Sequence, residues 1–349
     1  MLLILLLFLN SLTSFSSSSR FSRSSSSSRF SSSSSASSFS RPSSASIPSP
    51  SSLRVLSWNL ENLFDTRDDA DTNDEEYLPE GERHWTPYRY WQKLTEVARV
   101  VVALEDEGGI PDIIGLCEVE NDTVLTALTR RSPLRELDYS YVMTHSEDVR
   151  GIDVALLYQP ARFRLLTSCS IRVPSREQGF RPTRDILYAK GLVLASEGVD
   201  TLHVFVVHLP SRAGGRGGDK NRRLAAKTLW EAVDSVAAQP AAHTAHILVM
   251  GDFNAGAKDR IFKHAPLRLT DDPHAPGTYC YRGYWQWLDH ILLSSSLLAS
   301  EPAHPIRFPW LLEENRTYGG YMPRRTYRGP TYHSGISDHL PLYITIGLK

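Results

Sequence analysis

The sequence from Leu53 onward predicts an α/β domain. Three observations carry this reading. Short apolar runs of β character recur along the chain, and stretches with apolar residues at helical spacing lie between them. The apolar runs also end repeatedly in clusters of carboxylates, amides and imidazoles, and strand ends are where a rigid scaffold presents side chains to ligands.

Leu53 to Trp58 alternates apolar and polar side chains and reads as a strand closing on the polar cluster Asn59 to Asn62. Tyr88 to Leu104 places Trp91, Leu94, Val97, Ala98 and Val101 on one helical face, and Gly108-Gly109 stops it. Ile110 to Val119 follows as a buried strand and Asn121 to Arg130 as a second helix. Asp153 to Tyr158, Lys190 to Ala195 and Leu202 to His208 read as strands, and Lys220 to Ala238 as a long helix. His246 to Met250 is a strand ending at Gly251-Asp252-Phe253-Asn254, and Leu288 to Leu293 and Leu340 to Ile346 are the last strands. No internal repeat and no second linker interrupts this series, so residues 53–349 are counted as one domain.

Residues 1–52 are set aside. Met1 to Leu9 is apolar but far shorter than the roughly 20 residues that span a bilayer. Its length suits the apolar region of a secretory signal, although no Lys or Arg precedes it and no small-x-small site follows. The alternative is a start codon placed upstream of the true one. On the signal reading, the protein is secreted or held in the cell envelope. The serine-dominated stretch to Ser52 has too little apolar area to offset chain entropy and is expected to be disordered.

Hydrophobic content of 41% and charged content of 22% are those of an ordinary globular protein. The net charge is −1, and the serine tail contributes four arginines and no acids, so the domain itself is mildly acidic. That excludes a protein that coats nucleic acid by bulk charge while leaving room for local basic patches. Cys117, Cys169 and Cys280 are far apart and form no CxxC, which argues against a disulfide framework or a zinc site. Cys117, beside an apolar run, is expected to be a buried thiol.

Six strand-end clusters carry the candidate chemistry: Trp58-Asn59-Leu60-Glu61-Asn62, Leu116-Cys117-Glu118-Val119-Glu120, Val207-His208-Leu209-Pro210, Gly251-Asp252-Phe253-Asn254, Trp287-Leu288-Asp289-His290 and Ser337-Asp338-His339. Carboxylate oxygens with few soft ligands suit a hard cation, Mg²⁺ or Mn²⁺, that can neutralise a phosphoryl oxygen. Any one cluster alone is weak evidence, since Gly-Asp-x-Asn can be an ordinary turn.

Taken in order, the six resemble the endonuclease/exonuclease/phosphatase superfamily across the whole domain. The resemblance implies a four-layer α/β sandwich: two mixed β-sheets packed face to face with helices outside. It implies Glu118 as the principal metal ligand, Asn59 and Glu61 as a supporting pair, and Asp338 near the metal. His208 matches a catalytic histidine. Asp252 and Asn254 match residues that orient water and phosphate, and Asp289 and His339 match an Asp–His pair. Glu120 is read as a solvated neighbour, and Asp153 as either a site residue or a loop cap.

Arg184, in Arg181-Pro182-Thr183-Arg184-Asp185, is a candidate phosphate contact or a surface ion pair. Ser211 to Lys227 is basic and begins with two glycine pairs. It reads either as a mobile loop whose Arg212 and Arg216 grip a polyanion or as an exposed hairpin with a helix start. Tyr318 to Tyr332 interleaves tyrosines with arginines, including Arg324, and can hold phosphates and stack bases or pack as a surface loop. Asp65 to Glu82 is strongly acidic and is expected to lie away from a polyanion.

The leading functional expectation is an Mg²⁺-dependent phosphodiester hydrolase, a nuclease of low sequence specificity with nucleic acid as substrate. The alternative is a phosphodiesterase or phosphatase on a small or lipid-linked phosphoester, such as an inositol phosphate or sphingomyelin; Phe308 to Leu312 is its weak membrane-contact candidate. The signal-like segment and the His208 cluster disfavour an abasic-site repair enzyme. Retention of Glu118 and the Asp–His pair disfavours a non-catalytic binding module. No obligate protein partner is evident.

Overall fold

Period-two alternation in β1 (Ser52–Leu63) sets up the architecture. Leu53 and Val55 enter one apolar cluster while Leu56, Trp58 and Leu60 enter another, so both faces of the strand are covered. In this computed structural model, residues 52–348 are described apart from 71, 196–197, 213–214 and 240–244. The expected signal segment and almost all of the serine tail lie outside the described residues.

Two large sheets result. The first uses β1, β2 (Ile113–Val119), β3 (Ser140–Met143), β4 (Asp153–Tyr158), β13 (Leu297–Ala299), β14 (His304–Pro305) and β19 (Leu342–Leu348). Its order is β13-β19-β1-β2-β4-β3, with β14 also on β19. The second uses β5 (Arg164–Ile171), β6 (Ile186–Ala195), β7 (Gly198–His208), β8 (His246–Asp252), β9 (Arg268–Leu269) and β12 (Asp289–Leu293), in the order β5-β6-β7-β8-β12-β9. Three small ribbons complete the strands: β10–β11 (Tyr279–Tyr281, Tyr284–Gln286), β15–β16 (Leu312–Glu314, Tyr321–Pro323) and β17–β18 (Tyr327–Arg328, Thr331–Tyr332).

The sheets pack face to face. Val55, Ile113, Val154 and Leu156 from one meet Val204, Val206, Leu248 and Ile291 from the other in a single cluster. Gly115 lets them close in, because a Cβ there would sit 2.8 Å from Met250 Cε. Helix α1 (Pro87–Ala103) covers the outside of the first sheet through Tyr90, Leu94, Val97, Ala98 and Val101. Thr86 caps its start, with its side chain accepting from the Arg89 backbone N–H, and Pro87 occupies the first turn. A short helix α2 (Asp122–Thr126) is capped by Asn121. Helix α3 (Gly215–Ala237) covers the second sheet through Ala226, Leu229, Trp230 and Val233. The four layers of the expected sandwich are therefore present.

Each sheet has one central parallel pair, β1 with β2 and β7 with β8, inside otherwise antiparallel pairing. The carboxyl ends of all four strands carry site residues.

Some boundaries differ from the sequence reading. Helix α3 starts at Gly215, so the glycine pairs expected to make a mobile loop instead lie largely in its first turn; residues 213–214 lie outside the described residues. β5 went unrecognised because it is a largely exposed edge strand whose Leu165, Leu166 and Ile171 do not alternate with its Arg, Thr, Ser and Cys residues. Cys117 is buried as expected.

Candidate active site

The alternation that builds the core also aims the chemistry. Val204 and Val206 on β7 and Leu248 and Met250 on β8 face the other sheet, and two residues further on so do His208 and Asp252. Ile291 and Leu293 on β12 put Asp289 on the same side, and Val55 on β1 does so for Asn59. Four side chains from four different strands thus meet in the gap between the sheets.

Glu118 joins them by breaking the pattern. The ladder slips after Cys117, and Glu118 takes a left-handed backbone, φ +62°. Glu61, Asn62 and Asn254 are also left-handed, at φ +49°, +58° and +50°. Each such conformation is disfavoured for a non-glycine residue, and their concentration here marks a site whose geometry the surrounding fold enforces.

Asp252 Oδ2 is the focal atom. Asn59 Nδ2 donates to it at 3.1 Å and Asn254 Nδ2 at 3.3 Å, while His208 Nε2 lies 3.6 Å away and His339 Nε2 3.9 Å away. The Asn254 backbone N–H donates to Oδ1 at 2.8 Å. Burial raises the Asp252 pKa, opposed by His339 and reinforced by Asp289.

Asp289 Oδ2 lies 2.7 Å from His339 Nδ1 and accepts from Thr278 Oγ1 at 2.6 Å. Burial disfavours a charged His339, but Asp289 and Asp252 outweigh it and hold the ring cationic, well above its ordinary pKa. The His339 backbone is pinned by Trp58, whose fully buried indole donates to its carbonyl at 3.0 Å. Ser337 Oγ ties the same turn to the Asn59 carbonyl at 2.6 Å. His208 is the opposite case: burial, then Arg184, Arg150 and His339, push its pKa well down and keep it neutral.

Glu118 accepts from Asn59 Nδ2 at 3.2 Å and from the Asn62 N–H at 2.8 Å. Glu61 accepts from the Thr326 N–H at 2.6 Å, and Asp338 from Arg325 at 2.6 Å. All three carboxylates line one cavity of about 670 Å³ together with His208, Asp252 and His339. Burial and the neighbouring Asp338 charge raise the Glu61 pKa, against Lys93. A cation between these carboxylates would relieve that crowding, and an oxygen-only donor set fits a hard divalent ion. Asp252, Asp289 and His339 also bring ligand atoms within 4.8 Å of one another. A cationic His339 whose Nδ1 faces Asp289 has no free lone pair for a metal, however, which sets that trio apart from the carboxylates around Glu118.

The arginines sort differently from the sequence reading. Arg212 lines the cavity, with its guanidinium donating to the Asn254 carbonyl at 2.9 Å and to Gln286 at 2.7 Å. Arg184 does not line it: the side chain is buried and donates to the His208 carbonyl at 3.1 Å, the Leu209 carbonyl at 2.9 Å and Asp148 at 3.1 Å. Arg216 is exposed on the first turn of α3, away from the cavity lining, and Arg324 donates to Ser334. Asp153 accepts from Thr144 Oγ1 and the Ser146 N–H, the loop-capping alternative. Glu120 is buried rather than solvated and accepts from the Asp65 N–H.

Arg83, Arg150 and Arg325 line the cavity, as do Tyr77, Tyr279, Tyr281 and Tyr327. Lys93 on α1, nearly inaccessible, donates to the Glu61 carbonyl at 2.6 Å and to Thr326 Oγ1 at 2.9 Å. Arg325 and Tyr327 belong to the Tyr318 to Tyr332 segment singled out in the sequence, whereas Lys93, Arg83, Arg150, Tyr77, Tyr279 and Tyr281 were passed over. A lysine on an otherwise apolar helical face, three residues from Tyr90 and four from Val97, was the available signal for Lys93.

Fold and site together define a metal-dependent phosphoester hydrolase. The chain belongs to the Endonuclease/Exonuclease/phosphatase family, whose sequence profile matches residues 54–272 and 265–347. Members of this family are divalent-metal-dependent phosphoester hydrolases.

Among solved structures, the chain is similar to humanized D. rerio TDP2, with a TM-score of 0.52 and 16% identity over 85% of this chain and 99% of that one. It is similar to the human nocturnin catalytic domain with bound sulfate (0.52, 19%, 87% and 97%). It is also similar to a mannosyl-6-phosphatase of Bacteroides thetaiotaomicron (0.53, 16%, 84% and 99%). Identities this low show the shared fold. No curated protein is detectably similar in sequence.

Proposed function

We propose that the chain is an Mg²⁺- or Mn²⁺-dependent phosphodiesterase that cleaves nucleic acid with low sequence specificity. The observation that carries this reading is the cavity itself. Four arginines (Arg83, Arg150, Arg212, Arg325) and four tyrosines surround the carboxylate and histidine cluster, a lining suited to phosphates flanked by bases. Likeness to D. rerio TDP2 complexed with a single-strand DNA product supports the substrate class.

Asp252, raised by burial, holds a water through Oδ2 and accepts its proton as the water oxygen bonds to phosphorus and the opposite P–O bond breaks, its electron pair leaving on the departing oxygen. His339, held cationic by Asp289, donates from Nε2 to a non-bridging oxygen as its charge grows. Asn59 and Asn254 fix the Asp252 carboxylate, and neutral His208 packs beside it. Glu118, Glu61 and Asp338, with Asn59 in support, would hold the metal, which when bound neutralises charge on the phosphoryl and leaving oxygens.

A phosphatase acting on a small phosphoester is the second reading, favoured by likeness to the mannosyl-6-phosphatase. A lipid-linked substrate has less support. Phe308 and Leu311 are buried, Trp310 stacks on Phe308, and Arg99 lies over the Trp310 ring, so this segment does not form an exposed apolar hairpin.

The test is hydrolysis by the full chain, with Mg²⁺ and after EDTA, of duplex DNA, single-stranded DNA, RNA, sugar phosphates, sphingomyelin and inositol polyphosphates. An Asp252→Asn/His339→Ala double variant is the control. Metal-dependent cleavage of nucleic acid, absent in the variant, is expected. Activity confined to a small or lipid phosphoester would overturn the substrate while keeping the site.

A further inference from the structure

The β10–β11 ribbon beside the catalytic cluster has two unlike faces. Across this antiparallel pair, Tyr279 stands opposite Gln286, Cys280 opposite Trp285 and Tyr281 opposite Tyr284. Directly opposed residues share a face, and successive residues alternate. The face of Cys280 and Trp285 turns inward: Trp285 packs against the apolar cluster that α1 covers, and Arg307 lies 4.4 Å from its ring centre. The other face carries Tyr279, Tyr281, Tyr284 and Gln286, and all but Tyr284 line the catalytic cavity. Tyr281 is 51% exposed and Tyr284 77%, and among the described residues neither stacks on another aromatic ring. Of the five tyrosines more than half exposed among the described residues, four lie on this ribbon and on the adjacent β15–β16 ribbon and its turn: Tyr281, Tyr284, Tyr318 and Tyr321.

Both ends of the ribbon are fixed. Arg282 and Gly283, at φ +51° and +81°, form the tight two-residue turn that suits the twist of the paired strands. Gly283 abuts the neighbouring ribbon, since a Cβ there would lie 2.7 Å from Tyr318 Cβ. At the inner end, Tyr279 bridges to the His339 backbone, and the two ring centres are 4.8 Å apart. The tyrosine face therefore starts at the reacting group and runs outward to solvent.

We propose that this face is a base-stacking subsite for single-stranded nucleic acid, with Tyr281 and Tyr284 receiving bases next to the scissile phosphate. The subsite rests on the nucleic-acid reading above and narrows it to one form of substrate. Bases in a duplex bury their faces against one another, whereas a single strand can spread its bases onto aromatic rings. Tyr279 and Tyr281, two residues apart on one strand, are spaced by about 6.8 Å, twice the roughly 3.4 Å per nucleotide of a duplex strand. A strand following this track has its bases unstacked from one another. Arg282, whose guanidinium lies 5.2 Å from the Tyr281 ring centre, places a cation at the rim for a phosphate of the same strand.

The experiment titrates the full chain carrying Asp252→Asn, in Mg²⁺, with three fluorescein-labelled probes of equal length, followed by anisotropy. The probes are an oligothymidylate, an abasic strand with the same phosphates and no bases, and a duplex. The oligothymidylate should bind at least about tenfold tighter than either of the others. Tyr284→Ala, at an exposed position outside the core, should weaken oligothymidylate binding by about 5- to 100-fold and so erase most of that preference. Tyr284→Phe should keep the preference and Tyr284→Leu should lose it, because stacking needs the ring and not merely apolar area. Equal binding of oligothymidylate and abasic strand, a duplex bound as tightly as the single strand, or a preference that survives Tyr284→Ala would each overturn the subsite while leaving the nucleic-acid reading in place. Failure of all three probes to bind, with none cleaved by the unsubstituted chain, would remove the nucleic-acid reading itself and this subsite with it.

Discussion

Replacing Arg184 with methionine keeps the length of the side chain but removes its charge and all of its donors. Arg184 is buried and makes three hydrogen bonds, to two consecutive backbone carbonyls at the end of β7 and to Asp148. Without it, Asp148 keeps only the more exposed Arg150 at 3.5 Å, and the His208 carbonyl loses the guanidinium donor. Removing one partner of a buried ion pair costs about 3–5 kcal/mol, the lower end being appropriate where a second cation remains. An unfolding entropy of about 0.6 kcal/mol/K for a domain of about 300 residues converts that to a Tm loss of roughly 5–8 °C. The effect reaches the site, because the Leu209 carbonyl that accepts from Arg184 also accepts from Asn254 Nδ2 at 3.0 Å. A loosened β7 end therefore misplaces Asn254 and His208, and kcat should fall by about 100-fold with KM little changed. Chemical denaturation combined with steady-state kinetics on the preferred substrate measures both. An unchanged denaturation midpoint with a raised KM alone would refute this reasoning and return Arg184 to the substrate-contact role.

Two further outcomes follow from the same geometry. Asp289→Asn keeps the shape but removes the charge that holds His339 cationic, so kcat should drop about 10³- to 10⁴-fold while Tm moves little; single-turnover kinetics check the first and calorimetry the second. His203, buried with Nδ1 on Tyr188 Oη at 2.8 Å and flanked by Lys190, His246 and Asp200, has its pKa lowered to about 4, chiefly by burial. The unfolded chain takes up that proton below about pH 6.5 while the folded chain does not. The stability linked to neutral His203 is thus full above pH 6.5 and is lost as pH falls toward 4, by about 3 kcal/mol. His203→Gln should flatten the stability profile across that window, and an identical slope in the variant would exclude His203 as its source.

The sequence by itself determined the class of fold and the family, and it named most of the side chains that the fold gathers around one cavity. Period-two alternation and strand-end polarity are local properties, so Asn59, His208, Asp252 and Asp289 could be read as terminal members of core strands before any pairing was known. The order of the six clusters then carried the resemblance, and Trp58, Ser337 and His339 proved to be bonded to one another's surroundings rather than being isolated motifs. What the cations do was decided only by tertiary structure. Arg184 and Arg325 look alike along the chain, yet one is a buried strut beneath β7 and the other lines the cavity against Asp338. Lys93, Arg83 and Arg150 became site residues only when distant segments met them. The same holds for the acids: nothing local distinguishes solvated Asp68 from buried Asp74. A charge carries no periodic signal of its own burial or partner, because both depend on which surfaces the chain folds against it.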